Sequence, residues 1–357
     1  MAKEALTYDS LGISTLKDKR QMNGISDFLK TSDKCVINQG VGDFASLYDF
    51  VARAKELGIE NPLLVTKIEE PGSKQKLAAT YGYNSTIVHD VVNHLVNDII
   101  VMGALPLCVM DVIVYGSENN EVINTLIKGF AAACRENGCS LVGGETSIQP
   151  KVVDEDRYVM ATSLCGIVDR DKIIDGKGIQ EGDVVLGVAS NGVHTNGLTL
   201  VRKLIELNPG IEEEKIDGES FISHVMRSHT AYYPAIRELI RGSKAGKIVG
   251  MAHITGGGIK GNLSRIIPHG LTAELDLGEI EVPKIFSFIK EKSGNAEMDM
   301  LKIYNCGIGL CVVVPKKSAA GVMSHINKFN KCYVIGTIKE SETLMSDKVT
   351  FINNLKF

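Results

Sequence analysis

Apolar residues recur at helical spacing through residues 86–102, at Ile87, Val88, Val91, Val92, Leu95, Val96, Ile99 and Ile100. Positions three and four apart share one face of a helix, so the spacing predicts a helix here. Pro106 closes it, and the β-branched run 107–115 predicts a strand. Residues 120–137 repeat the helical pattern up to Gly138. Shorter apolar runs at 63–66, 140–142 and 158–168 predict further strands. A charged stretch, 169–183, interrupts the pattern and marks a domain boundary. Beyond it the spacing predicts strands at 184–188, 271–276, 308–314 and 332–337, and helices at 199–207, about 219–241 and 257–267. Helix and strand alternate in both halves, as two α/β domains would. They are expected at 1–170 and 171–340, with a peripheral tail at 341–357.

Composition narrows the class. The 357 residues are 44% hydrophobic and 23% charged, as in a globular protein with a sizeable core. A formal net charge of -4 gives no basic excess for a nucleic-acid backbone. The apolar run 99–106 is far too short to span a bilayer, and residues 1–5 carry no apolar signal region, so a cytoplasmic location is expected. Eight cysteines are scattered without C-x-x-C spacing, which reads as buried thiols in a reducing compartment rather than a zinc or redox motif.

The chemistry gathers at glycine clusters that follow or close strand-like runs: 141–146, 190–197, 253–258 and 305–309. Glycine lets backbone N–H groups approach a ligand closely, and successive N–H groups make concave anion sites. Thr195 and Asn196 also suit a helix cap, whereas His194 is not needed for one and is a candidate acid or base. The run Thr255-Gly256-Gly257-Gly258 carries an entropic cost that packing does not require, while His253 beside it also fits a satisfied buried histidine. Asp90, His94 and Asp98 stand four apart on one helix face, which suits either a Mg²⁺ site or a solvated polar face. The stretch Glu69-Glu70-Pro71-Gly72-Ser73-Lys74 follows a strand and lacks Walker spacing; it reads equally as a phosphate loop or a charged turn.

Taken in order, these motifs resemble the phosphoribosylformylglycinamidine cyclo-ligase family, the aminoimidazole ribonucleotide synthetases. The resemblance runs from Leu6-Thr7-Tyr8 to about Ile338. It rests on Asn97-Asp98-Ile99 with Gly103-Ala104 and Pro106-Leu107, on 140–146, on 190–197 with Leu200-Val201-Arg202-Lys203, on 253–258, and on Asn305-Cys306-Gly307. It implies an α/β (α+β) fold of PurM-like two-domain architecture. An N-terminal sheet domain would bind ATP and metal and form a homodimer, and an α/β sandwich domain would follow. The implied reaction is ATP-dependent closure of formylglycinamidine ribonucleotide to aminoimidazole ribonucleotide, with ADP and phosphate released.

By position, the resemblance makes Glu69, Asp90 and Asp98 the Mg²⁺ ligands, and Gly40, Gly42, Gly72, Ser73, Lys74 and Asn97 the ATP and phosphate contacts. Gly143, Gly144, Glu145, Thr146, Thr195, Asn196, Gly197, Thr255, Gly256, Gly257 and Gly258 would line the substrate, with His194, Lys74 and Glu145 at the chemistry. The family usually carries Asp-Gly-Val-Gly-Thr-Lys at 69–74. Here Glu70 adds a negative charge and Pro71 removes an N–H donor. Asn93 and His94 are also more polar than the family pattern. These departures all fall on the nucleotide side. They leave a second expectation open, a non-catalytic or altered-nucleotide relative that binds a ribonucleotide or a partner.

Overall fold

The computed structural model describes residues 30–38, 43–341 and 347–357. The chain divides into two compact units, one formed within Met1–Leu95 and Pro106–Ile167, the other from Val96–Leu105 and Val168–Phe357.

Among the described residues, the first helix of the first unit is α1 (Phe50–Glu56), capped by Asp49, whose carboxylate accepts from Ala52 N at 2.8 Å. Then come β1 (Pro62–Glu69), α2 (Lys74–Tyr81), α3 (Asn84–Ile100), β2 (Leu105–Tyr115), α4 (Asn120–Glu136), β3 (Ser140–Ile148) and β4 (Tyr158–Asp169). The four strands make one sheet in the order β1-β4-β2-β3, with β2 and β3 parallel. The apolar stripe of α3 is buried as its spacing requires, together with Ile123, Leu126, Ile127 and Phe130 of α4. Gly129 sets the approach of these two helices. A Cβ there would stand 2.4 Å from Val88 Cγ2, so the lack of a side chain outweighs glycine's poor helix propensity.

The polar side of α3 is not a solvated face. Asp90 and Asn97 are fully buried, Asn93 and His94 nearly so, and each holds a specific partner. Asn93 Oδ1 accepts from Asn137 Nδ2 at 2.7 Å, and the others are described with the site. Burial of polar groups requires such partners, and they come from distant parts of the chain.

The second unit contains β5 (Val184–Ala189), α5 (Leu198–Leu207), β6 (Lys215–Ile216), β7 (Glu219–Ser220), α6 (Phe221–Val225), α7 (Tyr233–Ile240), β8 (Gly250–His253) and α8 (Gly258–Leu263). It continues with β9 (Leu271–Asp276), α9 (Lys284–Ser293), α10 (Glu297–Ile303), β10 (Ile308–Val314), α11 (Ala319–Ile326), β11 (Cys332–Glu340) and β12 (Val349–Ile352). Six strands form a sheet ordered β12-β9-β11-β5-β10-β8. Its pairs are antiparallel except β12 with β9, which places the unit on the α+β side of the expected class.

Two local expectations change. The helix expected over 219–241 is two helices, because Arg227-Ser228-His229-Thr230 breaks the apolar spacing and Pro234 restarts it at the first turn of α7. Residues 347–357 of the expected tail are not peripheral. Val349 is fully buried, and β12 completes the sheet edge beside β9. All eight cysteines are free thiols and seven are buried; burial pushes the Cys311 thiol up to about 12.

Candidate functional site

In the first unit, Lys74 opens α2 and reaches Asp90 on α3 rather than outward. Its Nζ lies 2.8 Å from Asp90 Oδ1, and both side chains are 0% exposed. Burial lowers the Lys74 pKa, and the Asp90 carboxylate opposes that shift only in part. Lys74, expected at a triphosphate, and Asp90, expected at a metal, are thus each other's counter-ion. Glu69 is more open. Its carboxylate sits 3.2 Å from Lys67 Nζ and 3.7 Å from His94 Nε2, with the side chain 24% exposed. Gly72 takes a left-handed conformation (φ 58°), and Ser73 makes no side-chain cap to α2. Gly40 and Gly42 lie outside the described residues.

Gly143 and Gly144 were expected in a loop after a short strand. They lie instead within β3, which runs on to Ile148, at a break in its register with β2 between Val109 and Met110. Gly144 answers a local need, because a Cβ there would stand 2.2 Å from Asp111 Oδ1. Glu145 is exposed, paired in register with Val112, and Thr146 is buried.

The second unit gathers the remaining clusters at one end of its sheet. β5 ends at Ala189, β8 ends at His253 and β10 begins at Ile308, and the antiparallel pairing brings these three ends together. Asn305 fastens the loops. Its Oδ1 accepts from Ser190 Oγ at 2.8 Å and from Gly307 N at 2.9 Å, while its Nδ2 donates to Gly192 O at 2.8 Å. Asn262 ties the triple-glycine turn, donating from Nδ2 to Thr255 O, Gly256 O and Gly258 O at 3.3, 3.2 and 2.9 Å. Gly257 and Gly258 both have positive φ, and a Cβ at Gly258 would strike Leu301 O at 1.8 Å. A Cβ on Gly197 would strike the Tyr304 ring, whose hydroxyl donates to Gly197 O at 3.1 Å. The two loops approach each other, since a Cβ on Gly256 would stand 3.6 Å from Asn196 Oδ1. The Nδ2 of Asn196 is buried with no hydrogen-bond partner among the described residues.

His194 stands at the centre with φ 56°, a conformation uncommon for any residue but glycine. Its ring is 1% exposed, Nε2 meets Thr230 Oγ1 at 3.1 Å, and its face stacks on His229 at 4.0 Å between centroids. His229 Nε2 lies 2.8 Å from His253 Nε2, and His253 Nδ1 lies 2.7 Å from Asp98 Oδ1. Asp98 is therefore a partner of His253. Asn97, expected at the nucleotide, is spent on the backbone: Nδ2 donates to Thr230 O at 2.8 Å and Oδ1 accepts from Tyr232 N at 3.1 Å. It holds the 230–232 segment in place.

Sequence reasoning missed His229, Thr230 and Asn262. A signal for the first two was present, because Ser228-His229-Thr230 is a polar insertion that interrupts a helical spacing. Asn262 carried none, because asparagine on a short helix is unremarkable until the turn before it is seen.

Two α/β units, the second with glycine loops closing on a histidine cluster, define a protein of the AIR synthase type. The chain matches the "AIR synthase related protein" N-terminal domain over residues 63–168 and its C-terminal domain over residues 180–346. Similar folds occur in hydrogenase maturation protein HypE (TM-score 0.65, 18% identity, 92% of each chain). They occur also in thiamine-monophosphate kinase from Stenotrophomonas maltophilia (TM-score 0.58, 14% identity, 96% of each chain). The chain belongs to the phosphoribosylformylglycinamidine cyclo-ligase family. The cyclo-ligase of Methylobacillus flagellatus is 37% identical over 338 residues, covering 94% of this chain and 95% of that protein. That of Burkholderia multivorans is 35% identical over 340 residues, covering 95% and 94%.

Proposed function

We propose that this protein is the ATP-dependent cyclo-ligase that closes the imidazole ring of formylglycinamidine ribonucleotide, releasing ADP and phosphate, in cytoplasmic purine biosynthesis. Family membership gives the reaction, and the buried, unpartnered Nδ2 of Asn196 is the observation that carries the site. A buried donor without an acceptor costs about 1–3 kcal/mol, so it is kept for an oxygen that arrives with a ligand. The amide oxygen of the substrate, or the phosphate it becomes, is such an acceptor.

The chemistry follows from what each group can do. Transfer of the ATP γ-phosphoryl group to the amide oxygen makes that oxygen a leaving group. An amine nitrogen of the same molecule then attacks the carbon, phosphate departs and the nitrogen gives up a proton. We assign the acceptance of that proton to His194, supported by its fixing through Thr230 and the His229 face. The 255–258 turn approaches Asn196 at Gly256, and the positive φ of Gly197, Gly257 and Gly258 is the kind of backbone that can come close to a ligand.

On the nucleotide side we assign Gly72 and Ser73 to the phosphates, not Lys74 or Asn97. Mg²⁺ supplies neutralisation of the transferring charge when it arrives with ATP, and it commonly binds through one or two carboxylates plus phosphates. The full three-carboxylate set does not fit, because Asp90 is wholly buried against Lys74. Glu69 and Asp98, 24% and 22% exposed, are the carboxylates we keep as candidates for the metal.

The test is turnover of formylglycinamidine ribonucleotide with ATP and Mg²⁺. Equal amounts of phosphate and aminoimidazole ribonucleotide are expected. Substrate binding without turnover would overturn the reading in favour of a non-catalytic relative.

We also propose a homodimer through the open face of the first sheet. Leu64, Ile68, Met110, Val112 and Val159, outward positions of β1, β2 and β4, are all exposed large apolar residues. Contiguous apolar surface of this kind marks an association site. Sedimentation is expected to show a dimer, and Val112→Asp should shift it to monomer; a wild-type monomer at micromolar concentration would refute the assignment.

A further inference from the structure

We propose that His229 is a positioning residue: it seats the His194 ring by stacking and links Thr195 to the His253–Asp98 pair through its two ring nitrogens. The proposal rests on the cyclo-ligase reading and deepens it by assigning a residue outside every glycine motif. Three buried imidazoles within one cluster are expensive for packing alone, since each needs its nitrogens satisfied. Here the hydrogen bonds close into one directed chain.

Its direction follows from donor and acceptor chemistry. The Asp98 carboxylate only accepts, so His253 Nδ1 carries a proton and donates at 2.7 Å. The contact between His253 Nε2 and His229 Nε2 at 2.8 Å holds a single proton. With His253 neutral, its Nε2 accepts, and His229 is the Nε2–H tautomer. His229 Nδ1 is then an acceptor, and the hydroxyl 3.5 Å away, Thr195 Oγ1, is its donor. The chain therefore runs Thr195 to His229 to His253 to Asp98. Two consequences follow. Thr195 turns its proton inward, toward His229 Nδ1. The His229 ring, held at both nitrogens, becomes a fixed plate 4.0 Å from His194, inclined 23° to it. A ring held in this way presents one orientation of His194 to the substrate, and orientation errors of about 1 Å can cost about 10²-fold in rate.

The experiment compares the full-length protein with His229→Phe and His229→Gln. Phenylalanine keeps a stacking face and removes both nitrogen bonds. Glutamine keeps a donor toward His253, an acceptor toward Thr195 and, in its planar amide, a flat face toward His194. Two readouts are taken. Nitrogen-15 NMR of histidine-labelled wild type is expected to show His229 as the Nε2–H tautomer and His253 as the Nδ1–H tautomer. Finding His229 as Nδ1–H would overturn the chain. Steady-state turnover is expected to fall in His229→Phe by roughly tenfold to a hundredfold in kcat, with the KM for ATP unchanged, and to be largely rescued in His229→Gln. An unaltered kcat in His229→Phe, or equal losses in both variants, would overturn the positioning role. Should wild type itself fail to turn over the ribonucleotide, the cyclo-ligase reading fails, and the wild-type tautomers still decide the chain.

Discussion

Methionine in place of Lys74 is expected to destabilise the protein by about 3–5 kcal/mol, because it leaves the Asp90 carboxylate buried without its counter-ion. The pair is 2.8 Å apart and wholly buried, and Asp90 sits on the helix that carries Ile87, Val91 and Leu95 into the core. Adding Asp90→Asn should recover much of the loss, since removing both charges costs far less than orphaning one. Urea unfolding of the two single variants and the double variant measures this. A Lys74→Met protein of wild-type stability with a raised KM for ATP would return the lysine to the triphosphate. The pH dependence has a definite sign. Burial holds the folded-state pKa of Lys74 below its ordinary 10.5, so between the two values the unfolded chain binds more protons. The contribution is present in full above 10.5 and is lost as pH falls through the lowered folded value. This positive slope of stability with pH should be absent in Lys74→Met.

Asparagine in place of His194 is expected to lower kcat by roughly 10²–10⁴-fold while leaving substrate binding near wild type. The choice of asparagine isolates the chemistry. It tolerates the left-handed backbone at φ 56°, so the 190–197 loop keeps its course. The ring also stacks on His229, so a small loss of thermal stability is expected alongside. Single-turnover measurement with the ribonucleotide and ATP separates the two effects. A variant that retains full kcat would show that His194 only packs the loop.

The periodic elements were legible from sequence. α3, β2, α4 and the strands β5, β9, β10 and β11 of the second sheet fall close to where hydrophobic spacing puts them, because their burial is one-sided or complete over many residues. What spacing hides is the identity of distant partners. Asp90, Asn93, His94, Asn97 and Asp98 read as one polar face, yet their partners are Lys74, Asn137, Glu69, Thr230 and His253. Such pairings are long-range choices that no local pattern records. The same holds for Gly143 and Gly144, which read as a turn until Asp111 on the neighbouring strand explains why a strand needs a glycine there. The three glycine clusters of the second unit were legible as loops at strand ends, and the pairing of β5, β8 and β10 brings those ends together. The histidine that joins them was not legible, because it sits in a segment whose only signal is a broken helix.

The division of the chain within α3 has a consequence for its inheritance. Val96–Leu105 counts with the second unit although it is encoded inside the first, between Leu95 and Pro106. A gene fragment beginning at codon 168 would carry His194, His229 and His253 but not Asp98, the carboxylate that orders them, nor Asn97, which anchors Thr230 and Tyr232. Recombination at the obvious seam would thus transplant a histidine cluster without its terminus. The two halves are therefore not exchangeable cassettes, and a chimera built from them must keep α3 and the 168–357 segment from the same parent.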